Sequence, residues 1–259
     1  MERDSIRPYK RRCSPNMRLN LFSLSQGTST NSVPPQPGMA SPSTWDGVER
    51  AADRGGHSLY CALAFINQRG KIGSVHRKLM PTHEERLVWS AGDGHSLRTH
   101  RVGAFQAGAL NCWENWMPLP RSALYAQGEN LHVAVWPGGI HNTRDITRFI
   151  AMESRSYVAS VSGLMRREDI GDSSEWRKVV AEASPEVLAS GGSCIAGPDG
   201  EWLVPPSQGE EKLLIATIDL RRVFEERQNF DLSGHYARPD VTRLEINRKR
   251  QNVLGILPD

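Results

Sequence analysis

From about residue 48 the hydrophobic positions fall into short blocks, and the blocks alternate between strand-sized runs and helical spacing. Leu59–Ile66 is a continuous apolar run. Asn67-Gln68-Arg69-Gly70 then reverses the chain into Lys71–His76, a hairpin signal. Leu97–Val102 and Ala104–Leu110 predict two further strands. From Pro118 to Gln127 the period becomes helical, with proline in the first turn and Gly128 just past the end. Leu131–Trp136 and Tyr157–Ser162 predict buried strands. Between them, a helix capped by Asn142 or Thr143 puts Ile146, Phe149 and Ile150 on one face. Ser193–Ala196 and Glu201–Val204 flank Pro198-Asp199-Gly200, a turn. Leu213–Ile218 predicts a strand and Leu220–Gln228 a helix. Gly92-Asp93-Gly94 and Gly191-Gly192 read as turns, and neither has phosphate-loop spacing. Two sheets packed face to face, with helices outside, accommodate this order.

The first 45 residues break the pattern. They are rich in Ser, Thr, Asn and Pro, with Val33-Pro34-Pro35-Gln36-Pro37-Gly38 at their centre, and predict a disordered or unrelated tail. The expected division is a tail over 1–45, one domain over 46–245 and a C-terminal tail over 246–259. A chain of 259 residues suffices for one sizeable core.

The net charge of +3 changes this picture little. Residues 1–12 carry Arg3, Arg7, Lys10, Arg11 and Arg12 against Glu2 and Asp4, which is the whole excess. A basic end on a neutral body argues against a nucleic-acid partner. The same basic, Ser-rich end is compatible with a transit peptide, so a mitochondrial location stands behind the expected cytoplasmic one. No apolar run approaches the ~20 residues that span a bilayer, so no membrane partner is expected. Four scattered cysteines suit a reduced compartment.

Candidate chemistry gathers at two places. The strand over Ala104–Leu110 runs into Asn111-Cys112-Trp113-Glu114-Asn115, just before a helix. A thiol at such a strand end is placed to act as a nucleophile. About thirty residues earlier lies Arg77-Lys78-Leu79-Met80-Pro81-Thr82-His83-Glu84-Glu85-Arg86, which supplies a lysine and carboxylates. Spacing alone does not choose between Glu84 and Glu85. Cys61 and Cys194, inside apolar strands, read as buried structural thiols, and Cys13 falls in the tail. His83-Glu84-Glu85-Arg86 lacks the second histidine of a zinc helix. His132, His141 and His235 have no ligand spacing, so no metal is expected.

At these residues the chain resembles the nitrilases of the carbon–nitrogen hydrolase superfamily. Cys112-Trp113-Glu114-Asn115 is similar to the nucleophile block and Arg77–Thr82 to the lysine block. His132–Pro137, Glu153–Val158, Gly191-Gly192-Ser193, Asn229-Phe230-Asp231 and His235–Val241 extend the match over roughly residues 46–245. The resemblance implies an α/β fold, the α-β-β-α sandwich. It implies Cys112 as catalytic nucleophile and Lys78 as the cation that stabilises developing charge. Glu85 would position the lysine and contact the substrate, and Glu114 would brace the loop. A cation beside Cys112 is expected to lower the thiol pKa. The implied reaction converts a small nitrile to a carboxylic acid and ammonia through a thioimidate and a thioester, with no cofactor. Amide or cyanide hydrolysis by the same residues is a sibling reading. A homodimer or larger homo-oligomer is expected, formed through the helices that follow Cys112 and Asn142.

One expected part is not found. The family's general-base glutamate follows a short apolar strand near the N-terminus. The acids before residue 60 are Glu2, Asp4, Asp46, Glu49 and Asp53, and none follows such a strand. Part of the N-terminal strand and helix layer is therefore expected to be missing. A catalytically impaired homologue with little turnover is the alternative reading. Glu49 is the first acid to test as a replacement.

Overall fold

The computed structural model describes residues 42–169 and 187–254. Residues 1–41 of the expected 1–45 tail, Cys13 among them, and the end of the C-terminal tail lie outside the described residues.

The first sheet is an antiparallel meander of β1 (Ser43–Arg50), β2 (Leu59–Ile66) and β3 (Ile72–Arg77). The Asn67 side chain accepts from the Arg69 and Lys71 amides, and Gly70 takes φ +69, closing the expected hairpin. The second sheet contains β4 (His100–Val102), β5 (Phe105–Asn111), β6 (Leu131–Trp136), β7 (Tyr157–Ser162), β9 (Val187–Ala196) and β10 (Trp202–Gln208), in the order β10-β9-β7-β6-β5-β4. The short β8 (Leu164–Arg166) pairs with β9 off that path. The β5–β6 and β6–β7 pairs are parallel, and β4–β5, β7–β9 and β9–β10 are antiparallel. Three helices complete the described residues: α1 (Pro118–Tyr125), α2 (Ile140–Ser154) and α3 (Leu220–Arg227).

Alternation along β6 builds the layers. Val133 and Val135 face the first sheet and pack on Leu63. Ala134 and Trp136 face the other way, into a cluster with Tyr125 of α1, Ile146, Ile150 and Ala151 of α2, Val158 and Ala196. The result is sheet on sheet with α1 and α2 outside, the mixed α/β sandwich expected. A helix layer on the far side of β1–β3 is not among the described residues.

Several details differ from the sequence reading. β1 begins at Ser43, within the segment read as tail and ahead of the first block at Val48. Its Trp45 and Val48 are half exposed, so it lacks an apolar run to mark it. Only three residues of Leu97–Val102 are strand, because a turn over Gly94–Ser96 precedes them and Leu97 instead packs on Leu110, Ala123 and Leu124. α2 starts at Ile140, before either proposed cap. The Asn142 side chain donates to Gly138 O and the Thr143 hydroxyl to Gly192 O, so neither caps the helix. Phe149 leaves the apolar face, lying 44% exposed under the Arg121 guanidinium. Gly191 and Gly192 lie inside β9 rather than in a turn. Their φ values of +86 and +108 kink the strand against the start of α2, where a Cβ on Gly192 would press on Ile140 backbone. β10 reaches Gln208, four residues beyond the expected end. Leu213–Ile218 forms no strand, since Leu213 and Ile215 are exposed and only Ile218 is buried. Residues 246–251 are not loose. Ile246 packs on the Leu97–Leu110 cluster, Arg250 pairs with Asp93, and the Gln251 amide donates to Asp93.

Candidate active site

The pairing register of β1–β3 sorts their side chains by face. Asp46 lies opposite Leu63, and Leu63 opposite His76. Val48 lies opposite Cys61 two rungs on, hence on the same face, and the Lys78 amide donates to Cys61 O at 2.8 Å, continuing that rung past the end of β3. Asp46, Cys61, His76 and Lys78 therefore look toward the second sheet. Arg77 looks the other way.

Two turns of the same design meet there. Thr82 opens a 3-10 turn over His83–Leu87, with Glu85 at its third position reaching back to the Thr82 amide at 2.7 Å. Asn111 opens another over Cys112–Trp116, with Glu114 reaching back to the Asn111 amide at 2.9 Å. Each is a capping box, in which a glutamate satisfies an amide that the helical turn leaves unpaired.

In both turns the glutamate does more than cap. Glu85 Oε2 also accepts from Lys78 Nζ at 2.5 Å, and Thr82 Oγ1 accepts from the same ammonium at 3.1 Å. Geometry thus selects Glu85 over the exposed Glu84. Glu114 Oε1 accepts from the Leu79 amide at 2.6 Å, and both its oxygens lie within 3.2 Å of His76 Nε2. One buried carboxylate therefore ties the residue after Lys78 to the residue before Cys112.

Cys112 itself takes φ +55, a left-handed conformation costly for a residue with a Cβ. The turn is held from the other side by Asn115, whose amide donates to Leu110 O and Cys112 O. Asn115 Oδ1 meets His132 Nε2 at 2.8 Å, and His132 Nδ1 meets Glu129 at 2.9 Å, all fully buried. Arg121 donates to Asn115 O and pairs with Glu153. The strained residue is thus locked by a polar network with its groups largely satisfied.

Electrostatics differ from residue to residue. Burial works against the Lys78 charge, but Glu85 and the two facing thiols outweigh it and hold the ammonium above its usual pKa. Burial pushes the Cys112 thiol up, while the Lys78 charge and the Trp113 amide pull it down. Burial prevails, so the expected net lowering of this thiol is not what its surroundings give. Burial and the neighbouring Asp46 push Cys61 up strongly. Burial would raise Glu114, but His76 and the Leu79 and Asn111 amides hold it below its ordinary value.

The structure brings Lys78, Glu85, Glu114 and Cys112 into one neighbourhood. It adds Asp46, Cys61, His76, Asn111, Asn115 and His132, to which the sequence reading gave no part in the site. The period-2 alternation with Lys78 was the signal for His76. No local pattern announces the others, which arrive from separate strands. Glu49, the proposed replacement acid, is on the wrong face. Its carboxylate is paired with Arg77 through bonds of 2.7 and 2.8 Å. A shallow cleft between the sheets, lined by Thr44, Phe65, Ser74, His76, His100 and Val133 among others, is not lined by Lys78 or Cys112. Among the described residues no three His, Cys, Asp or Glu side chains group to hold a metal, and no helix is long and apolar enough to cross a membrane.

Residues 46–228 match the carbon-nitrogen hydrolase family. Nitrilase 2 of Arabidopsis thaliana is 36% identical over 203 residues, covering 77% of this chain and 60% of that protein. An aliphatic nitrilase of Sinorhizobium fredii is 36% identical over 202 residues, covering 78% and 65%. The chain thus spans about three fifths of the length of these curated relatives. Among solved structures, a carbon-nitrogen hydrolase from Helicobacter pylori superposes with a TM-score of 0.59 at 19% identity, covering 77% of this chain and 69% of that one. A branch 10 member of the nitrilase superfamily from Saccharomyces cerevisiae gives 0.52 at 19% identity, covering 69% and 60%. A family match over most of the length and relatives at 36% identity lead to one assignment: the chain belongs to the carbon–nitrogen hydrolase family.

Proposed function

We propose that the chain carries the thiol chemistry of a nitrilase, hydrolysing a small nitrile to a carboxylic acid and ammonia. The observation that supports this most is the convergence of Lys78, held by Glu85, on the strand-end Cys112. The Cys112 sulfur adds to the nitrile carbon and forms a thioimidate. The Lys78 ammonium stabilises the negative charge growing on nitrogen, an effect worth several kcal/mol in a site closed to water. Water then gives a thioester with release of ammonia, and a second water frees the acid. Glu85 orients Lys78, and Glu114 holds the two loops in register.

The wider reading follows from the same family. The domain takes in β1 from Ser43 and the docked residues 246–251 as well as the expected 46–245, and α1 and α2 carry the self-association surface. Among the described residues Cys61, Cys112 and Cys194 are free thiols, which suits a reducing, cytoplasmic setting. Ammonia release from a panel of aliphatic and aromatic nitriles, compared with Cys112→Ser, tests the activity. Turnover that depends on Cys112 supports it. Amide hydrolysis with no nitrile turnover moves the assignment to the sibling reaction.

A further inference from the structure

Gly92-Asp93-Gly94 reads in the sequence as a plain turn, yet it packs directly behind Lys78. Lys78 lies one residue past the end of β3, where the ladder no longer fixes its main chain. Its amide donates to Cys61 O, and its carbonyl accepts from the Gly92 amide at 2.8 Å. A Cβ on Gly92 would strike the Arg77 and Lys78 carbonyls, so only glycine lets the two backbones approach this closely. The lysine is therefore held at both ends. Glu85 and Thr82 hold its ammonium, and Cys61 and Gly92 hold its root.

The residue after Gly92 anchors the turn. Asp93 is buried, and both its oxygens are in use. Oδ1 accepts from the His95 amide at 3.1 Å and from Arg250 Nη1 at 3.0 Å, and Oδ2 accepts from the Gln251 amide at 3.0 Å. Two of these three donors come from a segment 157 and 158 residues away in the chain. That segment is itself docked, with Ile246 on the Leu97–Leu110 cluster and Arg248 O at 3.1 Å from His95 Nδ1. Arg250 lies 4.0 Å from Asp53, beyond hydrogen-bond reach, so Asp93 is its principal partner. A buried carboxylate is costly unless its charge is met. Here a cation from the C-terminal segment meets it.

We propose that Asp93, clamped by Arg250, is a positioning residue that fixes the root of Lys78 so that its ammonium stands beside Cys112. The inference rests on Lys78 acting at Cys112, as read above. Asp93 acts through Gly92 and the Lys78 main chain, and Arg250 acts through Asp93. A charge stabiliser works only in place, and a shift of about 1 Å can cost on the order of 10²-fold. A C-terminal segment that supplies no reacting group is thereby tied to the geometry of the reaction.

The test needs no nitrile, so it separates this proposal from the substrate reading. Burial, Glu85 and Glu114 push the Cys112 thiol up, and Lys78 with the Trp113 amide pulls it down. Displacing Lys78 therefore moves the thiol upward. Cys112 alkylation by iodoacetamide is followed by peptide mass spectrometry between about pH 7 and 10, the range in which thiols titrate. The full chain is compared with Lys78→Met, Asp93→Asn, Arg250→Met, Arg250→Lys and the double variant Lys78→Met with Arg250→Met. Lys78→Met sets the full shift of the profile. Asp93→Asn and Arg250→Met should move it the same way by at least about half a pH unit, a part of the 1–3 units that a neighbouring charge is worth. Arg250→Lys keeps a cation for Asp93 and should stay near wild type. With Lys78 already removed, Arg250→Met should add nothing. A merely structural role would lower the melting temperature and leave the profile of the folded chain in place, and that result overturns the proposal. An Arg250→Met shift that persists in the double variant overturns it as well. If Lys78→Met itself moves nothing, Lys78 does not act at Cys112, and the proposal falls with the site reading. If Asp93→Asn does not fold, Arg250→Met decides alone, since the Arg250 side chain reaches solvent. If the profile shifts as expected while every nitrile is left intact, the proposal stands and the substrate reading falls.

Discussion

Arg77 and Lys78 are adjacent in the chain, both basic, both almost completely buried, and they live in opposite worlds. Strand alternation sends Arg77 to the outer face of the first sheet. There Glu49 and Asp53 bind its guanidinium, and the Tyr60 ring lies 4.4 Å from it. That cluster holds two carboxylates on one cation and presents no group in want of a partner. Lys78 goes to the inner face. It meets one carboxylate, one hydroxyl and the electrostatic influence of two thiols. The difference teaches that burial of charge does not by itself mark a site. What marks it is a buried cation whose neighbours include nucleophiles.

Exchanging the two cations for apolar residues is the sharpest way to break the comparison. Lys78→Met is expected to lower kcat/KM for nitriles by about 10²–10³-fold, the cost of removing one preorganised charge stabiliser. Arg77→Met should instead lower thermal stability by about 1–3 kcal/mol, because its partners Glu49 and Asp53 are partly solvated and screened. Turnover of its folded fraction should stay near wild type. Equal effects of both variants on turnover would dissolve the distinction between the faces.

The next largest effect concerns the bridge. Glu114→Gln removes a buried carboxylate that joins the Lys78 and Cys112 loops, and should cost about 1–3 kcal/mol. It should also slow Cys112 alkylation, since the turn that strains Cys112 loses its brace. The pH dependence has a definite sign. The folded pKa of Glu114 lies below its ordinary value of 4.5. Its contribution is therefore fully present above that value and fades as pH falls beneath it toward the folded pKa. Urea midpoints measured from pH 7 down to 3, with and without the substitution, should converge at the acid end.

Smaller effects sharpen the contrast further. Cys194, pushed up to about 11 by burial and set among hydroxyls, should resist brief alkylation at pH 7 while Cys112 reacts. Glu49→Gln should shift stability by less than about 1 kcal/mol and leave the Cys112 alkylation profile unchanged. A marked loss of Cys112 reactivity in Glu49→Gln would return that residue to the site.

Much of this arrangement was legible in the sequence, for a physical reason. Leu131–Trp136 and Tyr157–Ser162 are buried on both faces or nearly so, Leu59–Ile66 is a central strand with every residue at least partly buried, and a continuous apolar run announces such strands. Cys112, Lys78, Glu85 and Glu114 lie in two local motifs whose capping boxes are set by residues three apart. β1 was hidden because it is an edge strand with Asp46, Glu49 and exposed Trp45, so alternation carries no apolar face. Leu213–Ile218 misled for the opposite reason, having strand-like composition without a partner strand. Asp46 and Asn111 come within 2.9 Å across 65 residues of chain, and the residue-by-residue pattern holds no trace of that meeting. The pKa of Cys112 was misjudged because the sequence shows the nearby lysine but not the depth of burial that opposes it.

The central claim is that Cys112 forms the covalent bond to substrate beside Lys78. Rapid acid quench during nitrile turnover, followed by peptide mass spectrometry, tests it directly. The account predicts an acyl adduct on the Cys112 peptide, labile to hydroxylamine, that accumulates within the first turnover and is lost in Cys112→Ser. Ammonia release with no adduct on Cys112, or an adduct on Cys61 in its place, would contradict it.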